Sequence, residues 1–265
     1  MKTKRCVAFS VALLAFAASA VAAPVTVSFV DGSAQVQSGS VWKALDFDMK
    51  FDSSLSVKLA AGAVLEIKAQ NGSVVTIAAP GTYVVEALFK PKAEQGAIAT
   101  VAGKLEKLAK GGQVGTTVAG VRGSEAVNAK GMMWAGGTVE AEEAYSSAEE
   151  ASKTGDHAGA WKLFMEALTL YIDASDSTGA ARAAYSASLA ALASGSGAKA
   201  LSSLRSASPE AAGALRGSYA LALATLSARY GATADAKKLL EEAIPAGWFD
   251  DPVTLDDARS LLAGL

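Results

Sequence analysis

Two periods follow one another along this chain. From Val25 to about Ala129, apolar and polar residues alternate in short runs separated by turn residues. From Glu140 onward, apolar residues recur three and four apart. Alternation is the mark of strands with one buried face, and the longer period is that of amphipathic helices. The pattern therefore predicts an α+β chain in two modules. The first is an antiparallel β sandwich or barrel-like domain over residues 23–135, and the second is a helical domain over 136–265.

In the first module Val25, Val27 and Phe29 point one way, with Thr26 and Ser28 the other. Asp31-Gly32 is a turn pair leading to Ala34 and Val36, which predicts a hairpin. A second turn falls at Gln37 to Ser40, before a short strand at Val41-Trp42. The runs Ser56 to Leu59 and Ala63 to Lys68 flank Ala61-Gly62, with Val64 and Glu66 on one face and Leu65 and Ile67 on the other. Asn71-Gly72 is the strongest two-residue hairpin signal in the chain. Val74 to Ile77, Pro80-Gly81 and Tyr83 to Leu88 complete the series.

Ile98 to Lys110 breaks this rhythm. Ile98, Val101, Leu105 and Leu108 fall at helical spacing, and Gly111-Gly112 follows. A short amphipathic helix is predicted there, covering an open sheet edge or face, with a partner-binding surface as the alternative. Strand pattern returns at Val114 to Val121 and at Glu125 to Ala129. Gly131 to Gly137, with Met132, Met133 and Trp134, reads as a last strand or a plug between modules; a Met-Trp ligand pocket is the alternative.

The helical half repeats itself. Ala148, Gly155, Ala160, Phe164 and Ala167 carry small, turn, small, large and small residues. Gly195, Ala200, Leu204 and Ala207 repeat the pattern, as do Gly231, Ala236, Leu240 and Ala243. The glycines are 40 and 36 residues apart. Alanines on facing sides let two helices close up, and a large residue fills the gap to the next pair. The spacing predicts a tetratricopeptide-like solenoid of three helical hairpins, capped by a helix at Leu255 to Leu262. A plain helical bundle is the alternative.

Composition narrows the class. Lys2, Lys4 and Arg5 precede an apolar run from Cys6 to Ala18, and Ala20-Val21-Ala22 is a small-x-small site. Residues 1–22 are expected to be a signal peptide cut after Ala22, which places the protein in the periplasm or outside the cell. The single cysteine, Cys6, would leave with it, so no disulfide or thiolate metal site is expected. Losing those three cations takes the formal charge from −2 to −5. That balance argues against nucleic acid, whose binders carry a basic face. No second apolar run approaches the length of a membrane span, so no integral membrane segment is expected after cleavage and the mature chain is expected to be soluble.

Gly32, Trp42, Asp52 to Leu55, Gly72 to Val74, and above all Val121-Arg122-Gly123-Ser124-Glu125 resemble the pattern of a FecR domain. The closing Val-Arg-Gly-Ser-Glu is its most specific part. The resemblance covers about residues 25–130 and implies a β-rich domain of the bacterial periplasm. In the family's namesake regulators the domain follows a cytoplasmic segment and a membrane span, and relays a signal to a sigma factor. Here a cleavable leader is expected in that place, so the resemblance is to the domain rather than to that task.

Candidate chemistry is sparse. His157 is the single histidine and falls in a helix turn, where packing or exposure is expected. Asp46, Asp48 and Asp52, and Asp250, Asp251, Asp256 and Asp257, lack the spacing of a calcium loop. Glu140, Glu142, Glu143, Glu149 and Glu150 line one helix, as a solvated face or a stripe for a basic partner. Arg122, between two glycines, is expected to pair with Glu125 or backbone carbonyls, with recognition of an anion as the alternative. No catalytic set, cofactor or metal is expected. The sequence reads as a non-enzymatic scaffold or adaptor for envelope proteins. The alternatives are a peptidoglycan- or glycan-binding module using Trp42, Tyr83 and Trp134 as stacking aromatics, an envelope signalling component, or a hydrolase with two facing carboxylates.

Overall fold

The computed structural model describes residues 23–90, 96–111 and 136–265. Its N-terminal part holds eight strands in two antiparallel sheets: β1 (Pro24–Asp31), β2 (Ala34–Ser38), β3 (Val41–Ala44), β4 (Lys50–Asp52), β5 (Ser56–Leu59), β6 (Val64–Ala69), β7 (Val74–Ile77) and β8 (Gly81–Val84). One sheet has the order β4-β1-β6-β7 and the other β3-β2-β5-β8. Val25, Val27, Val36, Val57, Leu59, Leu65 and Ile67 fill the space between them and are almost wholly buried. A short helix, α1 (Val85–Leu88), closes this part and buries Val85 in the same core.

Asp31-Gly32 is not a hairpin turn. β1 pairs with β4 and β6, whereas β2 pairs with β3 and β5. The glycine instead turns a sheet corner, and Ala60 to Ala63 turns the matching corner between β5 and β6. The Ala60 amide donates to the Ser33 carbonyl at 3.0 Å, so both corners are stitched together. Gly32 has φ of 76°, and a Cβ there would sit 2.9 Å from that of Ala63. No other residue fits this close approach without a shift. The turns at Gly39 and Asn71-Gly72 do join paired strands, β2 to β3 and β6 to β7.

The alternation along β1 also breaks. The register slips between Val27 and Phe29, a β-bulge. Phe29 is thereby turned out of the β core, and Val30 takes the inward place.

Helix α2 (Gly96–Ala109) follows, and then the helical module: α3 (Gly136–Lys153), α4 (His157–Asp173), α5 (Ser177–Ala193), α6 (Gly197–Arg205), α7 (Arg216–Arg229), α8 (Thr233–Ala243) and α9 (Pro252–Ala263). A 3-10 helix over Pro209–Leu215 separates α6 from α7. Three hairpins, α3–α4, α5–α6 and α7–α8, turn at Gly155, Gly195 and Gly231, with φ of 88°, 85° and 92°. Each first helix ends the same way. The amides of Gly155 and Asp156 return to Ser152 and Ala151, those of Gly195 and Ser196 to Leu192 and Ala191, and those of Gly231 and Ala232 to Ala228 and Ser227. This glycine-centred motif satisfies the last helical carbonyls and reverses the chain. Ala148, Ala160, Phe164, Ala167, Ala200, Leu204, Ala236, Leu240 and Ala243 are buried, as their spacing predicts, whereas Ala207, in the same pattern, lies past the end of α6 and is only half-buried. Neighbouring odd-numbered helices touch one another: the Tyr145 hydroxyl bonds Ser186 at 2.9 Å, and the rings of Tyr185 and Tyr219 stack with centroids 6.0 Å apart.

The two modules share one core. Val64 and Ala78 lie in the same apolar cluster as α3 to α7, with Phe29 packed against it. Glu66, on the outward face of β6, is 93% removed from solvent at this joint. Its carboxylate accepts from the hydroxyls of Ser28 at 2.9 Å and Thr76 at 3.3 Å, and from Ser196 and the Ala198 amide, each at 3.4 Å. The last two form the first turn of α6, where the helix dipole favours an anion. The Ala78 amide donates to the Tyr230 carbonyl at 2.9 Å, and the Ser202 hydroxyl to Asp31 at 2.6 Å.

Candidate interaction surface

Helix α2 does not cover a sheet. It packs on α5, α7 and α9, the odd-numbered layer of the helical module. Of the four apolar positions the spacing picks out, Ile98 and Val101 are buried, Leu105 packs partly buried against the larger cluster and Leu108 is half-buried; Ala102 is buried beside them. The face that receives it is built of small residues. Ile98 shares a cluster with Ala220, Ala224 and Ala228 of α7 and with Ala258 and Leu261 of α9. Alanine in these places lowers the surface and forms a trough into which larger side chains fit. Each fully buried residue the size of valine or isoleucine contributes roughly 1.5–3 kcal/mol.

Charge fixes the register of α2 in this trough. Lys104 donates to both carboxylate oxygens of Asp257 on α9, at 2.6 and 2.8 Å. Glu106, two residues on, accepts from Arg229 at the end of α7. The trough thus has an anionic rim and a cationic rim, and α2 meets each with the opposite sign. Lys107 and Lys110 stay exposed on its outer face. The result is a surface shaped to hold an amphipathic helix.

A second polar centre locks the first hairpin to the second. Arg182 of α5 donates to Glu142 of α3 and to the Tyr171 hydroxyl of α4. Its guanidinium lies 4.3 Å from the ring centre of Tyr145 and 5.6 Å from that of Tyr171. Burial pushes both phenols above the usual tyrosine range, and Glu142 beside Tyr171 adds to its rise. One guanidinium nitrogen, Nη2, makes both of these bonds, while Nε is buried without a hydrogen-bond partner among the described residues.

The residues singled out in the sequence are not brought to one place. Arg122, Glu125 and Trp134 lie outside the described residues, as do the strands predicted after Gly112 and residues 131–135 of the predicted joint; Gly136 and Gly137, given to that joint by the sequence, instead begin α3. Trp42 is half-buried on edge strand β3, opposite Gln37. Tyr83 is on β8, the other edge of that sheet, opposite Val57. Val57 faces the core and Gln37 does not, so Trp42 and Tyr83 are on opposite faces. The Tyr83 hydroxyl is engaged with the Ala79 carbonyl at 2.8 Å, and burial raises its pKa. These two aromatics form no common stacking platform.

His157 opens α4. Asp251 caps α9 by accepting from the Thr254 amide at 2.7 Å, and Asp257 is the partner of Lys104. Glu142 of the acidic helix is held by Arg182, while Glu140, Glu143 and Glu150 are exposed. Among the described residues, no group of three or more His, Cys, Asp or Glu side chains is placed to hold a metal ion. Among them, too, no helix is long and apolar enough to cross a membrane. Sequence reasoning missed Glu66 and Arg182 as organising residues. The signal for Glu66 was present, as an acid inside an otherwise apolar strand; that for Arg182 was not, since nothing local marks its partners.

Comparison with known proteins adds no relative: no family model, curated protein or solved structure matches this chain.

Proposed function

We propose that this protein is a non-enzymatic interaction scaffold of the bacterial cell envelope. In this reading residues 1–22 direct it to the periplasm or beyond. The β module is a FecR-like domain, and the helical hairpins form a tetratricopeptide-like array that receives envelope proteins. The observation that carries the reading is the trough on α5, α7 and α9. It is apolar, lined by small side chains and rimmed by opposite charges, and it is shaped for a helix. The three equivalent glycine turns support the repeat assignment, because each hairpin reverses by the same backbone bonds.

The glycan reading loses support from the placement of Trp42 and Tyr83 on opposite faces of their sheet. The test is crosslinking in living cells, followed by capture of the tagged chain from the envelope fraction. Recovery of defined protein partners is the expected result. A chain that crosslinks to none, yet sediments with purified cell wall, would replace this reading with the glycan one.

A further inference from the structure

We infer that α2 is a resident competitor in a helix-binding trough: it occupies the face of α5, α7 and α9 and yields it to an amphipathic helix of a partner protein. Three observations carry this. First, α2 belongs to neither module's regular pattern. It follows the β strands in sequence, yet it lies on the helical layer. Second, its anchoring is that of a ligand in a groove. One apolar edge (Ile98, Val101, Ala102, Leu105) enters the trough, and two ion pairs flank it. Third, α3, α5 and α7 have side-chain contacts of their own beneath it. The Tyr185–Tyr219 stack and the Tyr145–Ser186 bond join these helices without α2.

The trough states what would replace α2. The incoming helix carries apolar residues at positions i, i+3 and i+7, as Ile98, Val101 and Leu105 do. It brings a cation to Asp257 at i+6 and an anion to Arg229 at i+8, as Lys104 and Glu106 do. A helix with those charges exchanged places like against like on both rims and is rejected. Self-occupancy lowers the apparent affinity for such a partner by the fraction of time α2 is seated. This gives the scaffold a closed state. The inference rests on the scaffold reading for the identity of the partner, but not for the exchange itself.

The chain from Ala23 has no cysteine, which permits a reversible staple. A Cβ placed on Gly264 would lie 3.0 Å from that of Ala97 at the start of α2, so A97C with G264C needs only a slight spread to form a disulfide. The staple is combined with Lys104→Glu, which sets like charge against Asp257 and loosens α2; Lys104→Ala takes its place if that chain does not fold. The probe is a fluorescein-labelled peptide of residues 96–110, read by anisotropy. The reduced protein should bind the peptide at least about tenfold more tightly than the oxidised protein, and a peptide with the Lys104 and Glu106 charges exchanged should not bind. Equal binding by both forms, or no binding by the reduced form, overturns the inference. Partner capture separates the two proposals. Equal capture by oxidised and reduced protein sinks the competitor and leaves the scaffold standing. Capture by neither sinks the scaffold, while the peptide assay still decides the exchange.

Discussion

Glu66 shows what a single buried acid does here. Its carboxylate collects donors from β1, β7 and the first turn of α6, so it belongs to both modules at once. Glu66→Ala leaves those donors without their acceptor in a closed joint and should lower stability by about 1–3 kcal/mol, read as a drop in thermal midpoint. Glu66→Gln keeps an acceptor oxygen and should lose less; an equal loss would mean that packing, not acceptance, is the role of the residue. The tyrosines make a second prediction at this scale. Burial raises the pKa of Tyr145, Tyr171, Tyr185 and Tyr219 above the ordinary value of 10.0. The neutral phenol is therefore favoured in the folded state. Its contribution is full below about pH 10 and is lost as pH climbs toward the folded pKa values. Ultraviolet titration should show these phenols ionising late and together with loss of helical circular dichroism. Early, independent ionisation would contradict their burial.

At the scale of elements, the glycine turns were the most legible feature of the sequence. Gly155, Gly195 and Gly231 each sit where a helix ends with positive φ, and no other residue supplies that conformation without strain. The same turn between α4 and α5 is made by Ser175, at φ of 59°. Ser175→Gly should therefore raise stability by up to about 1 kcal/mol, and Gly195→Ala should lower it by a similar amount, since open space at Gly195 leaves backbone strain as the main term. Denaturant midpoints of the two variants, moving in opposite directions, would confirm a shared turn geometry. Two other elements were misread for physical reasons. Asp31-Gly32 has the composition of a hairpin turn, but a tight turn and a sheet corner ask the same of a glycine, and only pairing partners distinguish them. The slip at Val27 was hidden because Phe29 is as apolar as the Val30 that takes the inward place.

For the whole molecule, periodicity gave the two modules but not how they meet. It set Val64 and Glu66 on one face of β6 and Leu65 and Ile67 on the other, and the structure keeps that division. What covers the outward face is a matter of tertiary contact, and no local pattern names α6 as the cover. The same limit explains α2, whose apolar stripe is plain in the sequence while its destination, the odd-numbered helices, is not. These contacts make one cooperative unit of two modules. Val64, Ala78 and Phe29 would be exposed if the β module stood alone, and Glu66 would lose the first turn of α6. Calorimetry of the chain from Ala23 should accordingly give a single transition whose van't Hoff and measured enthalpies agree. Glu66→Ala, by weakening the joint from the inside, should broaden that transition or split it in two. Two separate transitions in the unmodified chain would show that the shared cluster does not couple the modules. The stapled protein extends the argument. If α2 opens apart from the rest, closing A97C to G264C should slow amide exchange in α2 and leave that of the buried helix α5 unchanged.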